Sequence, residues 1–193
     1  MALPIDTLIK SFWIFFALFW IVSAFKVKQA VRTEPMWLRF LKHWLPVLIG
    51  GVLLGGPGEM YAGTALGWRL YPSIEAVAVL GMLMTLAGVL FACWARVVLG
   101  TNWSGVVQVK RDHELIERGP YGYVRHPIYT GLLMAFLGTA MAIGELRGFL
   151  AVAIVAVSFW RKLRLEERWM GEQFGDAYAD YMRRVKALVP GVL

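Results

Sequence analysis

The sequence predicts an all-α integral membrane protein with about five transmembrane helices, a cytoplasmic loop and an amphipathic C-terminal helix. Of its 193 residues, 59% are hydrophobic and only 17% are charged, and the apolar residues are collected in long blocks. A soluble domain of this length does not carry so much apolar sequence in blocks. The Lys and Arg residues behind the net charge of +7 flank those blocks. This placement favours anionic membrane lipids as partners and argues against nucleic acid.

The candidate spans are residues 8–25, 44–57, 74–99, 128–144 and 148–160. A full crossing needs about 20 residues, and the second, fourth and fifth segments are shorter than that. The second reaches this length if it extends back to Trp37, which brings Arg39 and Lys42 into the helix. Only residues 145–147 separate the last two segments, so these are predicted to form a tight helical hairpin.

The first segment is predicted to be a retained membrane helix and not a cleaved signal peptide, because Asp6 precedes it and Lys26 and Lys28 follow it. The third segment carries small residues at three- and four-residue steps, a pattern that lets helices approach closely in lipid. These residues are Ala78, Gly81, Thr85, Gly88, Ala92 and Ala95.

The distribution of basic residues orients the spans. Of the 20 Lys and Arg residues, all but Lys10, Arg69 and Arg147 lie in residues 26–43, in residues 96–127 or after residue 160. With five spans, this bias predicts an outside N-terminus and a cytoplasmic C-terminus. The chain then divides into three N-terminal membrane helices, residues 1–99, and a C-terminal half, residues 100–193, whose loop and tail share the cytoplasmic face.

The tail is predicted to form a helix over residues 161–186. Its apolar residues recur at helical spacing, and Pro190 lies just beyond its end. We expect this helix to lie on the membrane surface and cover the hairpin. Its apolar stripe consists of Trp169, Met170, Phe174, Tyr178, Tyr181, Met182 and Val185.

Residues 118–131 are the main functional candidate. Their sequence, RGPYGYVRHPIYTG, places Arg, His and Tyr side chains at the start of the apolar run that begins at Ile128. Polar and ionisable groups at membrane depth are tolerated mainly where they line a cavity or a site. His126 precedes a Pro suited to the first turn of a helix, and it binds either a ligand or a backbone carbonyl. No metal site is predicted, because His113 has no second histidine three or four residues away.

A second polar cluster lies at the cytoplasmic end of the fifth span. The positive-inside rule accounts for Arg161, Lys162 and Arg164, but not for the adjacent Glu166 and Glu167. A cation on the protein or on a ligand would account for the two acids. Lys162 and Glu166 are one helical turn apart, so a plain salt bridge is the competing interpretation.

Four motifs occur in a fixed order: Asn102-Trp103, the turn Gly119-Pro120-Tyr121, RHPIYTG at 125–131, and Glu166-Glu167 followed by FGDAYADY at 174–181. Together they resemble the isoprenylcysteine carboxyl methyltransferase family and the related phospholipid N-methyltransferases. The similarity covers residues 100–190, about half of the chain, and does not involve the first two spans. The resemblance implies an integral membrane methyltransferase whose catalytic core is the C-terminal half.

The resemblance also implies a binding site for S-adenosylmethionine. Its residues would be Gln108, His113, Glu114, Leu115, Ile116, Tyr121, His126, Pro127, Ile128, Tyr129, Glu166 and Glu167. In the family, an Arg one turn before the first Glu handles the substrate carboxylate, and this chain has Lys162 there. Lys162 and the neighbouring Arg164 are therefore the predicted catalytic cations.

The acceptor is predicted to be a lipophilic or lipidated molecule, since the site lies where a lipid tail and a water-soluble cofactor meet. A carboxylate is already nucleophilic at neutral pH and needs only a cation to orient it. An amine must first lose a proton, for which His126 is the candidate base. This difference favours carboxyl O-methylation, and the family resemblance implies an isoprenylcysteine-like substrate. Phospholipid N-methylation and NADPH-dependent reduction by a membrane reductase are the alternatives, and a non-enzymatic scaffold would leave the Arg-His-Pro and Glu-Glu motifs unexplained.

Overall fold

This computed structural model describes residues 4–24, 30–33, 35–102, 108–110 and 115–192. The main elements of this part of the chain are seven α-helices and a two-stranded ribbon. The helices are α1 (Ile5–Ala24), α2 (Met36–Arg39), α3 (Leu45–Gly55), α4 (Glu75–Leu99), α5 (Pro127–Ile143), α6 (Leu146–Phe174) and α7 (Asp176–Arg184). The strands are β1 (Ala30–Thr33) and β2 (Gln108–Lys110). A π-helical stretch, Phe40–Trp44, joins α2 to α3.

The described helices support the predicted membrane class. Three helical stretches are long and apolar enough to cross a membrane, namely Ile5–Ala24, Met36–Gly55 and Glu75–Asn102, whereas Pro127–Ile143 is apolar but shorter. The second stretch does extend back past Trp37 and includes Arg39 and Lys42, because the chain stays helical from Met36 to Gly55. The fifth predicted segment, 148–160, forms the first half of α6.

The bounds predicted for the tail helix, residues 161–186, are wrong. α6 continues from the fifth apolar segment without a break as far as Phe174. It ends at Gly175, whose φ of 54° lies in the left-handed region that glycine adopts at little cost. α7 then begins at Asp176 and ends at Arg184. Helical periodicity is present on both sides of the apolar-to-polar transition at residue 160. It therefore fits one continuous helix and two successive helices equally well, and could not show that span and tail form one helix.

A short antiparallel ribbon departs from the all-α prediction. Thr33 of β1 pairs with Gln108 of β2, and Ala30 pairs with Lys110. The ribbon connects the segment after α1 to the loop before α5, and β2 also lies near α6. Strands of three and four residues are too short for an alternating pattern to be visible in a sequence.

Small residues bring α4 and α5 together, which confirms the close-packing face predicted for the third span. A Cβ added at Gly138 would lie 2.5 Å from the carbonyl oxygen of Gly81 and 2.6 Å from the amide nitrogen of Thr85. Within this interface the hydroxyl oxygens of Thr85 and Thr139 are 3.1 Å apart. Trp13 of α1 donates from Nε1 to Thr139 Oγ1 at 3.0 Å, and so joins α1 to the pair.

The predicted hairpin of α5 and α6 is confirmed. Gly144, with a φ of 69°, ends α5, and α6 begins at Leu146. The buried side chain of Arg147 donates to Glu145 Oε2 at 2.6 Å and to the carbonyl of Leu53 in α3 at 2.7 Å. These bonds fix α3 against the hairpin bend, and the candidate site lies at the opposite end, where α5 begins.

Candidate active site

The 118–131 segment folds into a tight turn followed by the start of α5. Gly119, with a φ of 60°, opens a 3-10 turn, Gly119–Gly122, that buries Pro120 and Tyr121. Pro127 occupies the first position of α5, where its missing N–H group is not needed. His126 directly precedes the helix, so its ring lies at the helix head.

The C-terminal residues 185–188, here called the strap, run beside this helix start. The backbone N–H groups of Arg125 and His126 donate to strap carbonyls at 2.8 and 3.0 Å. The hydroxyl of Thr130 donates to the carbonyl of Leu188 at 2.8 Å. The strap therefore fixes the backbone of the Arg-His-Pro motif from a part of the chain about 60 residues away.

Arg125 and Glu167 form a buried ion pair behind the helix head. Arg125 donates from Nε and Nη2 to Glu167 Oε1 at 3.0 and 2.5 Å, and the two side chains are 8% and 7% exposed. Arg125 Nη1 also donates to the carbonyl of Val185 in the strap. Burial raises the pKa of Glu167, but hydrogen bonds from His126 and Arg125 outweigh it and leave the pKa below its usual value. Glu167 is thus a fixed anion that ties α6 to the helix head.

Glu166, His126 and Tyr129 form a more open cluster beside that pair. The Tyr129 hydroxyl donates to Glu166 Oε1 at 2.7 Å. His126 lies between both acids, with Nδ1 3.6 Å from Glu166 Oε2 and Nε2 3.3 Å from Glu167 Oε1. The His126 and Tyr129 rings stack with centroids 5.5 Å apart and planes inclined by 10°. Because its side chain is 24% exposed, Glu166 is the carboxylate that a ligand can reach.

Two α6 residues border this cluster on the side of the Tyr129 ring. The Phe159 ring stacks on Tyr129 with centroids 4.8 Å apart, and Lys162 Nζ lies 5.4 Å from the Tyr129 centroid. Arg164 is exposed on another face of α6, where its guanidinium lies 5.9 Å from the ring centroid of Trp160. The structure therefore brings Lys162, and not Arg164, to the cluster.

The predicted cofactor residues of the loop are only partly described. His113 and Glu114 lie outside the described residues, and Gln108 is described by its backbone alone, as the first residue of β2. Leu115 and Ile116 line an open depression of about 450 Å³. Leu115 also packs against the apolar side of α7.

The remaining predicted residues lie close to the cluster or beneath it. Pro127 is buried, and Ile128 packs against the core around Phe159. Tyr121 is buried, and its pKa is raised by burial and by the neighbouring Glu166 carboxylate. Its phenol therefore stays protonated at any physiological pH.

Sequence patterns do not predict the roles of Arg125, Phe159 and the strap. The position of Arg125 beside His126 in the Arg-His-Pro motif is a signal that could have identified it. Phe159 reads as ordinary span sequence, since aromatic residues are common in membrane helices. The strap carries no signal, because its contacts are made by backbone carbonyls, which every residue possesses.

Comparison with known proteins places the candidate site within the part of the chain that matches a known family. The sequence profile of the phospholipid methyltransferase family matches residues 76–177, which include all but the first residue of α4, the whole of α5 and α6, and the whole cluster. The chain belongs to the phospholipid methyltransferase family. It is accordingly an enzyme, an integral membrane methyltransferase that uses a methyl donor.

Individual relatives of this methyltransferase carry several acceptor names. A protein-S-isoprenylcysteine O-methyltransferase of Schizosaccharomyces pombe is 29% identical over 94% of this chain and 83% of its own length. Protein-S-isoprenylcysteine O-methyltransferase B of Arabidopsis thaliana is 29% identical over 58% of each chain. Methanethiol S-methyltransferase 1 of Bradyrhizobium diazoefficiens is 33% identical over 64% of this chain and 48% of its own length. These names favour methyl transfer over the reductase alternative.

Proposed function

We propose that this methyltransferase transfers a methyl group from S-adenosylmethionine to a carboxylate of an isoprenylcysteine-like, lipophilic substrate at the cytoplasmic membrane boundary. The observation that carries the proposal is the accessible carboxylate of Glu166, held by Tyr129 beside two stacked rings at the head of an apolar helix. The names of the fission-yeast and Arabidopsis relatives support the same acceptor.

The cluster has the chemistry to hold a cationic cofactor that carries an amino group. Glu167 can only accept hydrogen bonds, so His126 Nε2–H donates to it, and in the tautomer that carries its single proton on Nε2 the other nitrogen, Nδ1, is an acceptor. Nδ1 and Glu166 Oε2, 3.6 Å apart, together complement an ammonium donor. The ring face of Tyr129 suits a positive centre. The proposed cofactor site also retains Gln108, His113, Glu114, Leu115, Ile116, Tyr121, Pro127 and Ile128.

The residues of the cluster position the reactants and exclude water. When bound, S-adenosylmethionine supplies a methyl group on a positively charged sulfur, and the transfer removes that charge. Loss of charge is favoured in a dry, low-dielectric site, which Phe159 and the buried Tyr129 help to provide. The Tyr129 hydroxyl fixes Glu166, and Glu167 fixes His126, so both ligand-facing groups are held before binding.

Lys162 is the proposed cation for the acceptor carboxylate. It lies at the Tyr129 ring on the membrane side of Glu166, one helical turn earlier in α6. An ammonium group in this place can orient a carboxylate that enters from the lipid phase. Arg164, which the sequence also predicts as a catalytic cation, lies on the Trp160 side of α6, so the proposal gives this role to Lys162.

A phospholipid amine is the second candidate acceptor, favoured by the family to which the chain belongs. This reaction needs a base for the ammonium proton. His126 Nδ1 is the nitrogen in the cluster that is not directed toward Glu167, so it is the group that would take this proton.

Calorimetric binding of S-adenosylhomocysteine to the detergent-purified protein tests the cofactor site. We expect the wild-type protein to bind it and not NADPH. Glu166→Gln and His126→Ala should each weaken binding at least about tenfold, since a charge-assisted hydrogen bond contributes roughly 1.5–3 kcal/mol. Glu172→Gln, an exposed acid on the same helix, is the matched control and should bind as the wild type does. Wild-type affinity in Glu166→Gln would refute the site.

The acceptor is identified by methyl-transfer assays on three compounds: a farnesylated cysteine, phosphatidylethanolamine and methanethiol. Transfer to the farnesylated cysteine, with Lys162→Ala raising KM more than it lowers kcat, is the expected result. Transfer to phosphatidylethanolamine alone, with loss in His126→Asn, would establish the amine alternative.

A further inference from the structure

Three arginines form a stripe on the face of α6 that is turned away from the cluster. Arg161, Arg164 and Arg168 follow each other at steps of three and four residues, the spacing that places side chains on one helix face. All three are exposed. Lys162, which borders the cluster, and Glu166, which belongs to it, lie on a different face of the same two turns.

The stripe carries more positive than negative charge, because Glu172, one turn after Arg168 on the same face of α6, is outnumbered by the three arginines. Arg125, Arg147 and Arg184 each pair with a glutamate, whereas no ion pair joins a stripe arginine to a described carboxylate. Like charges at helical spacing repel one another and weaken the helix. The positive-inside rule accounts for basic residues at this end of α6 but not for their alignment on one face, which an anion from outside the chain would explain.

The same face of α6 changes from apolar to basic at Trp160. Toward the helix start it exposes Leu150 and Val157, which are 41% and 52% accessible, and then Trp160 at 41%. Tryptophan is enriched where the hydrocarbon region meets the headgroups. Since Arg164 lies over the Trp160 ring, the basic stripe begins at the depth of the headgroups.

We propose that this face binds a phospholipid with an anionic headgroup. The headgroup phosphate would contact the guanidinium groups of the stripe, because arginine matches phosphate geometry with paired hydrogen bonds. An acyl chain would lie along Trp160, Val157 and Leu150. An acidic soluble protein would satisfy the charges but leave the apolar half of the face uncovered. A lipid matches both halves at once.

Lipid retention by the purified full-length protein tests the proposal. The protein is reconstituted with equal amounts of phosphatidylglycerol and phosphatidylcholine of identical chains, and retained lipids are counted by native mass spectrometry. The wild type should retain phosphatidylglycerol preferentially. The triple variant Arg161→Gln/Arg164→Gln/Arg168→Gln should lower its apparent affinity by about tenfold to a hundredfold, since a basic residue near an anionic surface contributes roughly fivefold.

Arg183→Gln is the control, since it removes one exposed arginine of α7 outside the stripe and should retain the wild-type preference. Circular dichroism and gel filtration establish that each variant is folded. Equal retention of the two lipids by the wild type, or an unchanged preference in the folded triple variant, would refute the proposal. So would inorganic phosphate that displaces phosphatidylglycerol at equal concentration, because the apolar contacts would then contribute nothing.

Discussion

At the scale of single residues, Arg125 joins more parts of the site than any other described side chain. Its guanidinium reaches Glu167 on α6 and the Val185 carbonyl of the strap, while its backbone N–H bonds to Lys186. It does not reach Glu166. Arg125 is therefore a positioning residue that acts through Glu167 on His126, and its effects on folding and on cofactor binding can be separated.

Removing Arg125 should leave a buried carboxylate without its cation. Arg125→Met is expected to lower the free energy of unfolding by about 3–5 kcal/mol, the usual cost of breaking a buried ion pair from one side. The double variant Arg125→Met/Glu167→Met, which leaves no unpaired charge, should recover a large part of that loss. Unfolding in graded detergent mixtures measures the free energy of unfolding of both variants. An equal loss of that free energy in the single and double variants would contradict the role of the ion pair.

The lowered pKa of Glu167 makes part of the stability dependent on pH. Because the folded-state pKa lies below the ordinary value of 4.5, the ionised carboxylate stabilises the fold fully above that value. The contribution is lost as the pH falls through the folded-state pKa. The stability difference between wild type and Glu167→Gln should therefore be constant above about pH 5.5 and narrow below pH 4.5. A difference that does not vary with pH would contradict this linkage.

At the scale of elements, the α4–α5 interface depends on glycines that no larger residue can replace. Gly138→Ala would bring a methyl group to 2.5 Å from the Gly81 carbonyl oxygen, and overpacking of this kind costs about 1–3 kcal/mol. Gly51→Ala in α3 is the matched control, since nothing lies within 4 Å of its added Cβ. The control should be neutral or gain up to about 1 kcal/mol from helix propensity. Thermal unfolding compares the two, and equal stability would show that α4 and α5 separate at no cost.

The elements also show which features a sequence can predict. Apolar blocks and small-residue spacing predicted the close-packing face of α4 and the hairpin, because lipid imposes both patterns on the chain directly. The joined span and tail in α6 and the ribbon of β1 and β2 leave no such pattern. The ribbon depends on backbone hydrogen bonds between segments that are distant in the sequence. The end of α6 depends on the backbone conformation of one glycine, Gly175.

The candidate site also has features that the sequence predicts and features that it does not. The 118–131 segment and the Glu166-Glu167 pair could be singled out because polar residues at membrane depth need a reason to be there, whereas the roles of His126, Tyr129 and Glu166 come from the family resemblance. The separate roles of the two acids could not be predicted, because adjacent glutamates are alike until their partners are known. Arg125 and His126 hold Glu167, and Tyr129 holds Glu166. Arg164 and Lys162 are likewise distinguished only by the faces of α6 on which they lie.

At the scale of the whole molecule, the site and the bend of the hairpin lie at opposite ends of α5 and α6. The positive-inside rule predicts that the site end, with the tail, faces the cytoplasm. The turn Gly58–Tyr61, which follows α3 near the hairpin bend, should then be outside. Both ends can be labelled in one background, because Cys93 is the only cysteine in the chain and is buried in α4.

In a Cys93→Ala background, we expect a membrane-impermeant maleimide to label Glu59→Cys in intact cells. Arg183→Cys, on exposed α7, should react only after the membrane is permeabilised. The physical reason is that basic residues resist transfer across the membrane and most of them accompany the tail. Labelling of Arg183→Cys in intact cells would place the cluster on the outer face. Since a cytoplasmic cofactor must reach Glu166 from the aqueous side, that result would also remove S-adenosylmethionine from consideration as the donor.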